Sequence, residues 1–137
     1  HSDMQRIAFY QTAIKAFMEK PVFGWGYRNF QPNVIPLKAK YDIAYPRRGG
    51  HAHNNFFEHL ASTGGLGALA FVIFSLVWLF EAYKTSLVCF GFVINFGVSG
   101  LFQYTFGDGE NVFLMMVIWA LGSIYFSFNK TKEPQTI

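Results

Sequence analysis

From Leu60 to Phe128 the chain holds three apolar runs, at residues 60–80, 87–106 and 112–128, with no charged side chain inside any of them. Each run has about 17–21 residues, enough to span a hydrocarbon core with modest tilt. The runs are separated by two short polar turns, Glu81-Ala82-Tyr83-Lys84-Thr85-Ser86 and Gly107-Asp108-Gly109-Glu110-Asn111. Composition points the same way: 14% of the residues are charged, against about 25% in a soluble domain. A chain this poor in wettable groups is expected to be an all-α membrane protein. Gly64, Gly67, Gly91, Gly97 and Gly100 permit close helix approach. Asn95 and Gln103, eight positions apart, read as hydrogen-bonding glue between helices.

The region before the runs is different in kind. Residues 3–20 are expected to form an amphipathic helix, with Met4, Ile7, Ala8, Ile14, Phe17 and Met18 recurring at helical spacings. Ser2 and Gln5 have the form of a capping box, and Pro21 ends the helix. Such a helix suits a protein surface or the bilayer interface. Residues 21–50 carry four of the five prolines and no sustained period, and read as a long extended loop. Gly24-Trp25-Gly26-Tyr27-Arg28-Asn29-Phe30 reads as a tight turn; without a preceding strand or a third glycine it is no dinucleotide site.

The expected organisation is therefore an extracytoplasmic helix and loop at 1–59, three transmembrane helices over 60–128, and a cytoplasmic tail at 129–137. Three crossings put Lys84 and the Lys130/Lys132 tail on one side, which suits the cytoplasm. The loop then faces outward although eight of the eleven Lys and Arg residues precede His59, against the positive-inside rule. An anionic lipid-linked ligand would account for that excess of cations. The start His1-Ser2-Asp3 has no initiator Met and no signal-peptide pattern, as expected of a cut within a longer protein.

Three of the four histidines, His51, His53 and His59, fall within Gly50-His51-Ala52-His53-Asn54-Asn55-Phe56-Phe57-Glu58-His59, just ahead of the first apolar run. Histidine titrates nearest to neutral pH, so the cluster can supply a base, a ligand or a proton switch; the plain alternative is polar residues capping a helix. A zinc site is disfavoured: the histidine spacings do not share a helix face, no cysteine is near, and Asp42 and Glu58 are the only local carboxylates. Cys89, the only cysteine, implies no disulfide or zinc framework.

Several motifs fall in order: Arg6 with its spacing to Pro21, Gly24, Gly26 and Asn29-Phe30; His53-Asn54, nine residues, Gly64, two residues, Gly67; and Gly100-Leu101-Phe102-Gln103-Tyr104-Thr105-Phe106-Gly107-Asp108-Gly109-Glu110. Together they resemble the C-terminal part of the O-antigen ligase family of bacterial membrane glycosyltransferases. The resemblance covers nearly the whole chain but about the last third of a family member. Two departures stand out: a short link at 81–86, and the absence of the family's other membrane helices.

The resemblance implies transfer of a glycan from a polyprenyl-diphosphate-linked donor to an acceptor hydroxyl, at the outer face of the bacterial inner membrane. The acceptor would be a glycan, lipid A-core or a protein; membrane lipids are further partners, and no nucleic acid or cofactor is expected. Arg6 is the position matching the family's diphosphate ligand, with Arg47 and Arg48 placed to help; a guanidinium fork binds phosphate oxygens bidentately and keeps its charge. His53 matches the base, with His51 tuning or orienting it. Asn54 or Asn55 would hold the imidazole tautomer or a sugar hydroxyl, or else cap a helix. No metal is needed where guanidinium groups replace the divalent cation. O-antigen polymerases and protein O-oligosaccharyltransferases share the signature and differ in acceptor. A transport-related membrane protein or an inactive fragment is the reading from another class.

Overall fold

The computed structural model describes residues 2–43 and 49–130. Arg47 and Arg48, and the tail from 131, lie outside the described residues. The described chain is all helical: α1 (Ser2–Glu19), α2 (Phe30–Lys40), α3 (Asn55–Thr85), α4 (Leu87–Phe102), a 3-10 turn (Thr105–Gly107) and α5 (Gly109–Lys130).

Helix α1 lies where its periodicity placed it, but it buries another face. Ala8, Phe9, Thr12, Ala13 and Ala16 are buried, whereas Met4, Ile7, Ile14 and Met18 are exposed. The small side chains leave room for the Trp25 indole, whose Nε1 donates to the Ala16 carbonyl at 3.1 Å. The exposed stripe is an apolar face of the kind that lies in a bilayer interface or against other helices.

The stretch read as an extended loop contains α2, which corrects that expectation. Phe30, Val34, Leu37 and Lys38 are its buried residues, a spacing of four, seven and eight that marks one helical face. Pro32 sits in the first turn, where a missing N–H costs nothing. Pro36 lies inside the helix and forgoes one backbone bond. Burial of Phe30, Val34 and Leu37 against Phe9, Ala13 and Ala16 offsets that loss. Glu19 accepts from Lys40 Nζ at 2.8 Å and from the Tyr41 hydroxyl, tying the C-terminal ends of α1 and α2 together.

Helix α3 is broken at Gly64, whose φ of 67° and ψ of −165° are not helical. The loop after α1 fills the break. Trp25 N donates to the Ala61 carbonyl (3.0 Å) and Gly26 N to that of Ser62 (2.7 Å); Gly65 N donates to Pro21 (2.7 Å) and Leu66 N to Val22 (3.3 Å). In an unbroken helix Ala61 and Ser62 would accept from Gly65 and Leu66 themselves. The loop thus satisfies both sides of the break, as buried backbone requires. Glycine is needed at the crossing: a Cβ on Gly24 would lie 2.5 Å from Gly64 N, and one on Gly64 would strike the Val22 carbonyl.

The three expected spans are redrawn. Helix α3 runs five residues past Phe80 to Thr85, so the link to α4 is Ser86 alone, whose Oγ caps α4 by accepting from Cys89 N at 3.1 Å. Helix α4 stops at Phe102 rather than Phe106; its length of about 24 Å falls short of a hydrocarbon core of about 30 Å. Among the described residues, α3 is the one helix long and apolar enough to cross a membrane, with α4 and Gly109–Tyr125 of α5 as shorter apolar helices. Leu66, Leu69, Ile73, Leu76 and Val77 leave α3 with an exposed apolar flank. Ala82, Cys89 and Val93 pack with Trp78, Leu79 and Trp119 into a second core joining α3, α4 and α5.

Candidate functional site

The site forms where the loop at 49–54 meets the N-terminus of α3 and the C-terminus of α4. Asn54 caps α3, its Oδ1 accepting from Phe57 N at 3.0 Å, while its Nδ2 donates to the Leu101 carbonyl at 2.9 Å. One amide thereby serves both helix ends, since the last carbonyls of a helix have no partner of their own. Asn55 Nδ2 donates to Thr105 Oγ1 at 2.8 Å and its Oδ1 accepts from Phe106 N at 3.4 Å. These bonds pull residues 103–107 out of α4 and hold them against the histidine loop. Asn54 makes the bonds of a helix cap, one of its two expected roles, whereas Asn55 makes neither a cap nor a bond to an imidazole and instead ties α3 to Thr105 and Phe106.

His51 and His53 lie side by side, with ring centroids 4.2 Å apart. His53 takes φ of 51°, a left-handed conformation costing a non-glycine residue about 1–2 kcal/mol. Its backbone N–H donates to His51 Nδ1 at 3.1 Å, so neutral His51 carries its proton on Nε2. Burial first, and the neighbouring His53 charge second, hold the His51 imidazole below its ordinary range. His53 Nδ1 faces Gln103 Oε1 at 3.0 Å. A carbonyl oxygen only accepts, so the tautomer that makes this bond has its proton on Nδ1 and its lone pair on Nε2.

Arg6 occupies α1, half-exposed, one turn before Phe9 and Tyr10. Phe9 meets His53 edge-on at 5.6 Å, and Tyr10 stacks on Phe57 at 4.6 Å. The face of α1 that carries Arg6 is therefore the one that docks on the histidine segment. Lys38, 4% exposed, places Nζ 3.9 Å over the Phe9 ring, a second cation on this side. His59 stacks on Phe71 at 4.6 Å and meets Tyr104 at 6.1 Å, the same ring that His51 meets at 5.9 Å. Among the described residues no three His, Cys, Asp or Glu side chains are grouped to hold a metal ion.

Beyond the pair a polar cavity of about 350 Å³ opens, lined by Gln31, His51, Gln103, Tyr104, Asp108 and Gly109. Burial, then Tyr27 and the Glu58 charge, push the Tyr104 phenol up, so it stays neutral as a hydrogen-bonding wall. Gln103 and Glu58 are what sequence reasoning missed. From sequence Gln103 reads as interhelical glue and Glu58 as a local carboxylate; the run from Gly100 to Glu110 is the one signal pointing at Gln103.

Residues 1–72, which carry α1, α2 and the histidine loop with the start of α3, match the O-antigen ligase family model. The chain belongs to the O-antigen ligase family. At family level this places it among the glycosyltransferases of the O-antigen ligase/polymerase superfamily, membrane-bound proteins that work on glycans and lipid-linked substrates. No curated protein and no solved structure matches the chain. Within the O-antigen ligase match fall Arg6, His51, His53, Asn54 and Asn55, whereas Gln103 lies beyond it.

Proposed function

We propose that this chain carries the base and a diphosphate-binding arginine of an O-antigen ligase-type glycosyltransferase that moves a glycan from a polyprenyl diphosphate to an acceptor hydroxyl without a metal ion. The observation that carries the reading is the hydrogen bond between His53 Nδ1 and Gln103 Oε1, which leaves Nε2 free to act as base. Nε2 takes the proton of the acceptor hydroxyl as its oxygen forms a bond to the anomeric carbon of the donor. The anomeric carbon–oxygen bond to the diphosphate breaks, and its electron pair leaves with the diphosphate. Arg6 meets that charge with its guanidinium fork, and Arg47 and Arg48 are assigned the same task. His51 supports the base by fixing the His53 backbone, and Asn54 and Asn55 hold the loop to the helix ends.

The 350 Å³ polar cavity beside His51 suits an acceptor sugar, whose hydroxyls match the amides of Gln31 and Gln103. In this arrangement α3 crosses the bacterial inner membrane with the shorter apolar helices α4 and α5 packed beside it, and the histidine loop faces the periplasm. The acceptor decides between a ligase, an O-antigen polymerase and a protein O-oligosaccharyltransferase. His53→Ala in the full-length protein is expected to abolish glycan transfer and leave membrane insertion intact; normal transfer by that variant would overturn the reading. Surface glycans of a deletion strain separate the acceptors: unlinked polymer marks a ligase, single repeat units a polymerase.

A further inference from the structure

Glu58 is 1% exposed, and the transfer step does not use it. An acidic residue in the first turn of a helix ordinarily sits in water and answers the helix dipole. Glu58 instead turns inward and reaches back six residues, where its Oε2 accepts from Ala52 N at 2.7 Å. Its Oε1 faces Ser62 Oγ at 3.4 Å. Ala52 is itself fully buried and stands between the two histidines, so its N–H has left water and requires an acceptor. The next residue, His53, is held left-handed at φ of 51°, a conformation that persists only where surrounding contacts enforce it.

We propose that Glu58 is a positioning residue of the transfer site: its buried carboxyl anchors the Ala52 amide and thereby sets the backbone from which His51 and His53 project. The role is that of a hydrogen-bond acceptor at a fixed reach, and it rests on the reading of His53 as base. Two substitutions separate reach from charge. Glu58→Gln keeps a carbonyl oxygen at the same distance and removes the charge. Glu58→Asp keeps the charge and withdraws the acceptor by one methylene.

The test uses the full-length protein in membranes, with a polyprenyl-diphosphate-linked oligosaccharide as donor, and follows glycan transfer together with hydrogen exchange at the Ala52 amide. In Glu58→Gln the Ala52 amide stays protected and transfer stays within about threefold of wild type. In Glu58→Asp the amide exchanges faster and kcat falls about 10²-fold at unchanged donor KM, because a misplaced base lowers the chemical step rather than binding. Full transfer by the Asp variant overturns the proposal. So does a Gln variant as impaired as the Asp one, since charge would then be the operative property. Failure of either variant to insert makes Glu58 a folding residue and also overturns it. His53→Ala is run alongside: if it transfers normally, the base reading falls and Glu58 with it. If it is inactive while the Asp variant is at full rate, only the Glu58 inference falls.

Discussion

His53 Nδ1 and Gln103 Oε1 meet at 3.0 Å across fifty residues of sequence, joining the loop before α3 to the end of α4. This bond selects the imidazole tautomer, so its chemistry is open to adjustment. Gln103→Leu is expected to lower kcat by about 10- to 10²-fold through loss of the tautomer and ring orientation. Gln103→Glu places a negative charge on Nδ1–H and stabilises the imidazolium. The acid limb of the pH–rate profile is then expected to move upward. A pH–rate comparison of wild type with both variants checks this; unchanged profiles would detach Gln103 from the base.

Arg6 is assigned a bidentate hold on the diphosphate, which lysine cannot reproduce. Arg6→Lys is expected to lower kcat/KM for the lipid-linked donor by about 10- to 10²-fold although the charge is kept. Donor titration in membranes measures it. A lysine variant equal to wild type would reduce Arg6 to a surface cation.

The crossing of Gly24 and Gly64 makes a stability prediction with an internal control. Gly64→Ala forces a side chain into a left-handed position and against the Val22 carbonyl, for a cost of about 2 kcal/mol or more. Loss of thermal midpoint or of folded yield in detergent is the expected result. At Gly91 and Gly97 an added Cβ meets nothing within 4 Å. Alanine there is expected to leave stability unchanged or slightly raised, since helix propensity improves.

His51 gives a pH dependence of defined sign. Its folded imidazole is held below the ordinary value, by burial first and by His53 second. Between that lowered value and about pH 6.5 the unfolded chain binds a proton that the folded chain does not. This contribution is therefore complete above about pH 6.5 and is lost as the pH falls. The thermal midpoint of wild type is expected to drop more on acidification than that of His51→Asn, whose side-chain oxygen can still accept from His53 N–H. Parallel curves for the two proteins would remove His51 as the titrating group.

Local chemistry was readable wherever it depends on near neighbours. The span of α1 followed from apolar spacing ended by Pro21, and the helical nature of the residues after His59 from long runs without charge. The cap at Asn54 needs only residues three apart. Helix α2 stayed hidden because Pro32 and Pro36 masked the spacing of Phe30, Val34 and Leu37. A proline in a first turn costs no bond, and one inside a helix costs a bond that burial can offset. The buried face of α1 is also not the one the spacing suggests: Met4, Ile7, Ile14 and Met18 point outward, while Phe9 and the small Ala13 and Ala16 face the packed elements.

The amino-acid order by itself determined the helical character and the separation of a cationic front from an apolar rear, and it offered Arg6, His51 and His53 as candidates for the proposed chemistry. Tertiary structure alone decided which side chains meet, bringing His51 beside His53 and Gln103 against His53. The break at Gly64 is stable only because residues 21–26 supply its backbone partners from an element more than thirty positions earlier. Likewise, Gln103 becomes the partner of His53 only because Asn54 and Asn55 draw the end of α4 onto the histidine loop. Periodicity and propensity act over a few residues, whereas these bonds exist only once distant segments have been packed against each other.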